Sequence, residues 1–138
     1  ISRMDAGLYE RGHRSPPVVD LDAIRNAQRV TASVHMDRAL IQYASRLVEV
    51  TRMPEEHLPA GMARLIEYGA SPRATIALCR TARALALLRG RGHVMPEDVA
   101  ALAHRVLRHR LILGFEAASQ RITADMITDA VLRAVPVP

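Results

Sequence analysis

Arg73 is the residue whose placement asks for a chemical reason. It stands in the run Gly69-Ala70-Ser71-Pro72-Arg73-Ala74, ahead of a long stretch free of Gly and Pro. Ser71 suits an N-cap, because its hydroxyl can accept from the open N–H groups of a first turn. Pro72 suits the first helical position, where a missing N–H costs nothing. A helix start carries partial positive charge, so an arginine there stands against the dipole. Two readings are open. Either Arg73 is a solvated group on an exposed turn, or it faces an anion, since a helix N-terminus with a guanidinium is a phosphate-reading arrangement.

Little other chemistry competes with it. All 19 basic residues other than histidine are arginine. With no lysine, the chain by itself holds neither the G-x-x-x-x-G-K-[ST] phosphate loop nor a Schiff-base amine. Gly90-Arg91-Gly92 is too short for a phosphate loop. The single cysteine, Cys79, excludes a disulfide or a CxxC metal site within the chain, and its mid-helix place reads as a small buried apolar group. His13, His35, His57, His93, His104 and His109 form no H-E-x-x-H, and no G-x-S-x-G is present. His104 and His109, five apart, are poorly placed to share a helix face as metal ligands and read as solvated or interface groups. Glu55-Glu56 and Glu97-Asp98 fall in loops or helix starts and read as solvated acids. No run of eighteen apolar residues and no signal-peptide layout occurs, so a cytoplasmic protein with no membrane partner is expected. The opening on Ile1 reads as a piece of something longer.

The elements that must position Arg73 are helical. At 138 residues and 49% hydrophobic content the chain suits one domain with a core. Aromatics are only 3%, so Leu, Ile, Val, Ala and Met must build that core, which favours an all-α small helical bundle. Four main helices and one or two short ones are expected. Asp20 can cap a short helix carrying Leu21, Ile24 and Ala27 or Gln28 on one face, with residues 30–36 a turn. Residues 37–52 form an amphipathic helix with Leu40, Ile41, Ala44, Leu47 and Val48 inward. Residues 53–61 read as a loop and 62–68 carry no assignment. The central helix runs from Pro72 to about Gly90. Its apolar arc is Ala74, Leu78, Cys79, Ala82, Leu85 and Ala86, with Arg73, Arg80, Arg83 and Arg91 opposite. Ile76 and Leu87 fall among those arginines, either as part of an interface or as cover for a neighbouring loop. Gly90 supplies a C-cap, and Pro96-Glu97-Asp98 opens the next helix. After the basic run His104, Arg105, Arg108, His109 and Arg110, residues 114–122 read as a polar loop. Thr123 caps a last helix burying Met126, Ile127, Ala130 and Val131.

Gly69-Ala70-Ser71-Pro72-Arg73-Ala74, together with the arginine- and leucine-rich run 83–91, resembles the C-terminal lid of MoxR-type AAA+ ATPases. Pro96-Glu97-Asp98-Val99, the segment 107–113 and the helix around residues 43–52 extend the likeness, which covers residues 20–138. The resemblance implies that residues 1–19 are the tail of the upstream ATPase core or a linker, and that 20–138 are the helical lid. It implies that Arg73 is the sensor 2 arginine contacting ATP phosphates, with Ser71 and Pro72 shaping the helix start, and that lid movement follows nucleotide state. It further implies ATP with Mg held mainly by an absent core, a ring of subunits, commonly a hexamer, chaperone-like work, and a von Willebrand factor A domain partner. Walker A and B belong to that core, so the lid alone should not hydrolyse ATP and the parent chain should. A different class of reading comes from the +5 net charge and pI near 10.6: a basic helical nucleic-acid-binding module centred on Arg105, Arg108 and Arg110.

Overall fold

The computed structural model describes residues 17–138, so the expected core tail or linker at 1–19 lies almost wholly outside the described residues. In chain order the described elements are α1 (Leu21–Ser33), α2 (Arg38–Arg52), α3 (Pro54–His57), α4 (Ala60–Ala63), β1 (Ile66–Tyr68), α5 (Arg73–Leu88), α6 (Pro96–Leu107), β2 (Ile112–Leu113), α7 (Phe115–Ser119) and α8 (Ala124–Ala134). The all-α architecture is as expected, apart from the small ribbon of β1 and β2.

Local chemistry explains most of the helix starts. Asp20 accepts from the Ala23 N–H at 2.7 Å and opens α1; Asp37 accepts from Ala39 at 2.7 Å and opens α2. Thr123 Oγ1 accepts from Met126 at 3.3 Å and opens α8. At the other end of α5, Gly90 has φ +72°. The Gly90 N–H donates to Leu87 O and the Arg91 N–H to Ala86 O, both at 2.9 Å, closing the helix with a Schellman motif.

Four boundaries differ from the sequence reading. α1 does not stop near Gln28 but runs through Val30 to Ser33, where the Thr31 and Ser33 hydroxyls donate back to the Ala27 and Val30 carbonyls at 2.8 Å. The loop 53–61 contains α3, begun by Pro54, and the start of α4. The loop 114–122 contains α7. Residues 66–68 pair antiparallel with 112–113, Ile66 opposite Leu113 and Tyr68 opposite Ile112. No periodicity can announce strands of three and two residues, because what defines them is a partner more than forty residues away.

The core forms around α5. Ala74, Leu78, Ala82 and Ala86 recur every fourth residue and are all buried, which is one ridge of the helix. α1, α2 and α6 pack on α5, and α8 closes against α6 and α2. Leu47, Leu65, Val99, Leu107, Ile127 and Val131 fill the interior. On α2 Leu40, Ala44, Leu47 and Val48 are buried as expected, but Ile41 is on the exposed edge and the buried face widens to take in Tyr43, Val50 and Thr51. Met126 likewise lies at the edge of α8, and Thr128 takes a buried place. α1 buries none of its own side chains fully.

Candidate functional site

The approach to Arg73 is built at the last turn of α2. Thr51 is fully buried, and its hydroxyl donates to Val48 O at 2.6 Å. The same oxygen accepts the N–H of Ala70 at 3.0 Å, nineteen residues later in the chain. Gly69 lies directly against this turn. A Cβ at position 69 would stand 2.1 Å from Thr51 O and 2.8 Å from Arg52 Cα, so the backbone closes on α2 to a distance that only glycine permits. Two consecutive residues are thereby fixed to α2 just before the helix that carries Arg73.

α5 then starts differently from the expected cap. The Ser71 hydroxyl makes no capping hydrogen bond; Pro72 already has helical dihedrals (φ −56°, ψ −20°), and Arg73 follows as the first regular residue. The opening is held by backbone: Ser71 O accepts from Ala74 at 2.8 Å and Pro72 O from Thr75 at 3.1 Å. With Pro72 lacking an N–H and Ala70, Ala74 and Thr75 already bonded, few amides remain to cradle an anion. The guanidinium is therefore the chief donor at this helix start. Arg73 is exposed and has no salt bridge among the described residues, and the first turn of α5 holds no acid. An open cleft of about 370 Å³ runs between Pro72 and Thr75 on one side and Ser45, Glu49 and Arg52 on the other. Arg73 itself is not among its lining residues.

The far end of α5 holds a second cluster, one that corrects the sequence reading. Asp98, expected as a solvated acid, has 0% exposure. Its Oδ1 accepts from Arg89 Nη1 and Arg91 Nη2, each at 2.7 Å. Its Oδ2 accepts from Arg91 Nη1 at 2.8 Å and from the Met95 N–H at 2.9 Å. Burial pushes this carboxyl up, but the Arg91 hydrogen bonds, the Met95 amide and the charges of Arg91 and Arg89 outweigh it and hold it below the ordinary carboxylate range. The signal was present in the sequence as an acid three residues after Met95, at the helix position that can reach back to the cap amide. Thr51 left no comparable signal.

The remaining expected groups have structural partners. Arg83 Nε donates to Val34 O at 3.1 Å, and His35 exchanges backbone bonds with Gly92 and Val94 at 3.0 and 2.9 Å, joining the α1–α2 and α5–α6 links. In the basic run, Arg108 pairs with Asp125 through two 2.8 Å hydrogen bonds, and His104 pairs with Asp129 at 2.8 Å. Arg110 donates to Val106 O at 2.6 Å. Much of the surface that motivated a nucleic-acid interface is therefore tied to α8 or to its own helix. Cys79 is half-buried rather than buried; burial pushes its thiol up against the opposing charge of Arg83. Ile76 is 59% exposed, while Leu87 packs against the core. Among the described residues no group of His, Cys, Asp and Glu could hold a metal ion, and no helix is long and apolar enough to cross a membrane.

Comparison with known proteins gives this arrangement a context. Residues 61–131, just over half the chain, match the family model described as the AAA lid domain. The chain is 38% identical over 134 residues to the chaperone MoxR1 of Mycobacterium tuberculosis, covering 95% of this chain and 36% of that protein. It is 37% identical over 121 residues to the protein MoxR of Paracoccus denitrificans, covering 81% and 34%. The crystal structure of a Cytophaga hutchinsonii protein described as an ATPase superposes with a TM-score of 0.86 at 31% identity, over 99% of this chain and 41% of that one. The chain thus spans little more than a third of the length of the curated relatives it matches.

Proposed function

The chain belongs to the AAA lid domain family, as the lid of a MoxR-like AAA+ ATPase, and from that premise we propose that Arg73 is its sensor 2 arginine. In this reading Arg73 contacts the terminal phosphates of an ATP bound mainly, with its Mg, by the core domain of the parent protein. The chemistry of the donor fits such a group: an exposed guanidinium without a carboxylate partner among the described residues, on a helix start whose dipole also favours negative charge. The observation that carries the reading is the double attachment of Gly69 and Ala70 to Thr51, which presents an exposed side chain from a fixed backbone.

The lid's part is then to orient one positive charge and to move with it. A terminal phosphate that pairs with Arg73 favours one lid position, and its loss releases that preference. The lid by itself is not a catalyst, and the parent chain is an ATP hydrolase. The same proposal includes a ring of subunits, commonly six, chaperone-like work on a client complex, a partner carrying a von Willebrand factor A domain, and a cytoplasmic setting.

The test uses the full-length protein. Arg73→Ala weakens ATP binding or slows turnover about 10- to 100-fold, the worth of one charge-assisted contact, while the melting of the lid is unchanged. Wild-type affinity and turnover in that variant would overturn the sensor role.

A further inference from the structure

We infer that Thr51 is a positioning residue for the phosphate contact, acting through Arg73; this rests on the reading of Arg73 given above. Thr51 lies on a different helix from Arg73 and is fully buried, so it cannot touch a nucleotide itself. Its hydroxyl is held in one geometry by two bonds, donating to Val48 O at 2.6 Å and accepting from the Ala70 N–H at 3.0 Å. The donor bond fixes the rotor, and the rotor in turn fixes where the Ala70 amide must lie. The Thr51 carbonyl sets the other coordinate, since Gly69 rests on it at a distance no Cβ could share.

Between this anchor and Arg73 only Ser71 and Pro72 intervene. Pro72 has its φ set by its ring, and Ser71 O and Pro72 O are already engaged by Ala74 and Thr75 at 2.8 and 3.1 Å. Few soft torsions remain in the connection. A displacement of the Ala70 amide is therefore passed almost undiminished to the Arg73 Cα, and a guanidinium that must meet a phosphate with directed hydrogen bonds loses contact with small shifts. The hydroxyl at position 51 is a specification of where α5 begins, made by a residue of α2.

The experiment measures ATP affinity of the full-length protein in four variants. Thr51→Val removes the hydroxyl and keeps the bulk; by loosening the placement of Arg73 it is expected to weaken ATP binding about fivefold, a share of the roughly 10- to 100-fold that the Arg73 contact itself supplies. Thr51→Ser restores the hydroxyl and recovers that affinity. Arg73→Ala and the double variant Arg73→Ala/Thr51→Val bind equally weakly, because Thr51 acts only through Arg73. If Thr51→Val does not fold, Thr51→Cys replaces it, with a weak sulfur acceptor in place of the hydroxyl. A silent Thr51→Val beside a weakened Arg73→Ala overturns the inference and leaves the sensor reading standing. Losses that add in the double variant overturn it too, since they would mark a general effect on the fold. A silent Arg73→Ala removes the sensor reading and this inference with it.

Discussion

Arg91 and Asp98 form a bidentate pair in which Nη2 donates to Oδ1 at 2.7 Å and Nη1 to Oδ2 at 2.8 Å, with the carboxylate wholly out of solvent. Arg89 adds a third contact, and the Met95 amide a fourth. Every oxygen of the buried acid is satisfied, the condition under which a buried charge is tolerable.

Replacement of Asp98 by Asn keeps the shape and removes the charge. It is expected to destabilise the lid by about 1.5–3 kcal/mol, because the charge-assisted bonds are lost while the two guanidinium groups, both partly in solvent, are rehydrated. Denaturant unfolding of wild type and variant gives the number, and a change under about 0.5 kcal/mol would show that the cluster contributes nothing net.

The same residue sets an acid limit. Its folded carboxyl is held below the ordinary range, so the folded state keeps it ionised where the unfolded chain, with a pKa near 3.9, has begun to bind protons. Its contribution is full above that unfolded value and is lost as pH falls through the lower folded value. Melting temperature followed from pH 6 downward should drop more steeply below about pH 4 in the wild type than in Asp98→Asn. Parallel curves would assign the acid sensitivity elsewhere.

Gly69 and Gly61 separate two uses of the same residue. Gly69→Ala places a methyl against the Thr51 carbonyl, with backbone on both sides of the collision, and should cost about 3 kcal/mol or more. Gly61 lies in α4 with nothing within 4 Å of its added Cβ, so Gly61→Ala should stabilise by about 0.5 kcal/mol. Thermal melts of the two variants check both signs.

On α5, Leu78 and Ile76 are two residues apart and face opposite ways. Leu78→Ala empties a fully buried position and should cost about 2–5 kcal/mol. Ile76 is mostly in solvent, and Ile76→Ala should stay within about 0.5 kcal/mol. Equal effects would mean that α5 is rotated from the orientation described.

Features that depend on neighbours in the chain were legible in the sequence, and those that depend on distant partners were not. Asp20, Asp37 and Thr123 cap their helices as their residue types dictate, and Gly90 ends α5 because the required left-handed turn suits glycine. The exposed arginine at the head of α5 was legible from Pro72 onward. The hydroxyl of Ser71 was a good local candidate that lost to tertiary geometry: the anchored Ala70 brings the Ser71 carbonyl, not its side chain, to the first turn. Thr51 was opaque because its two bonds look unremarkable until residue 70 arrives. Asp98 read as solvated because its two arginines lie across a turn, and only folding shows that they close over it. The wider buried face of α2 has the same origin, since Tyr43, Val50 and Thr51 are covered by other elements that pack on it.

The two guanidinium groups of the Asp98 cluster follow the last turn of α5, and the carboxylate belongs to the first turn of α6. Helix carbonyls at a C-terminus are partially negative, and amides at an N-terminus partially positive. Each charge therefore neutralises the end of its own helix before it pairs with the other, and the three form an electrostatic seam between two opposed dipoles. The elbow between α5 and α6 is set by charge as much as by packing. Its angle is pinned by side-chain hydrogen bonds of fixed direction, and the His35 N–H on Gly92 O ties the same turn to the α1–α2 link.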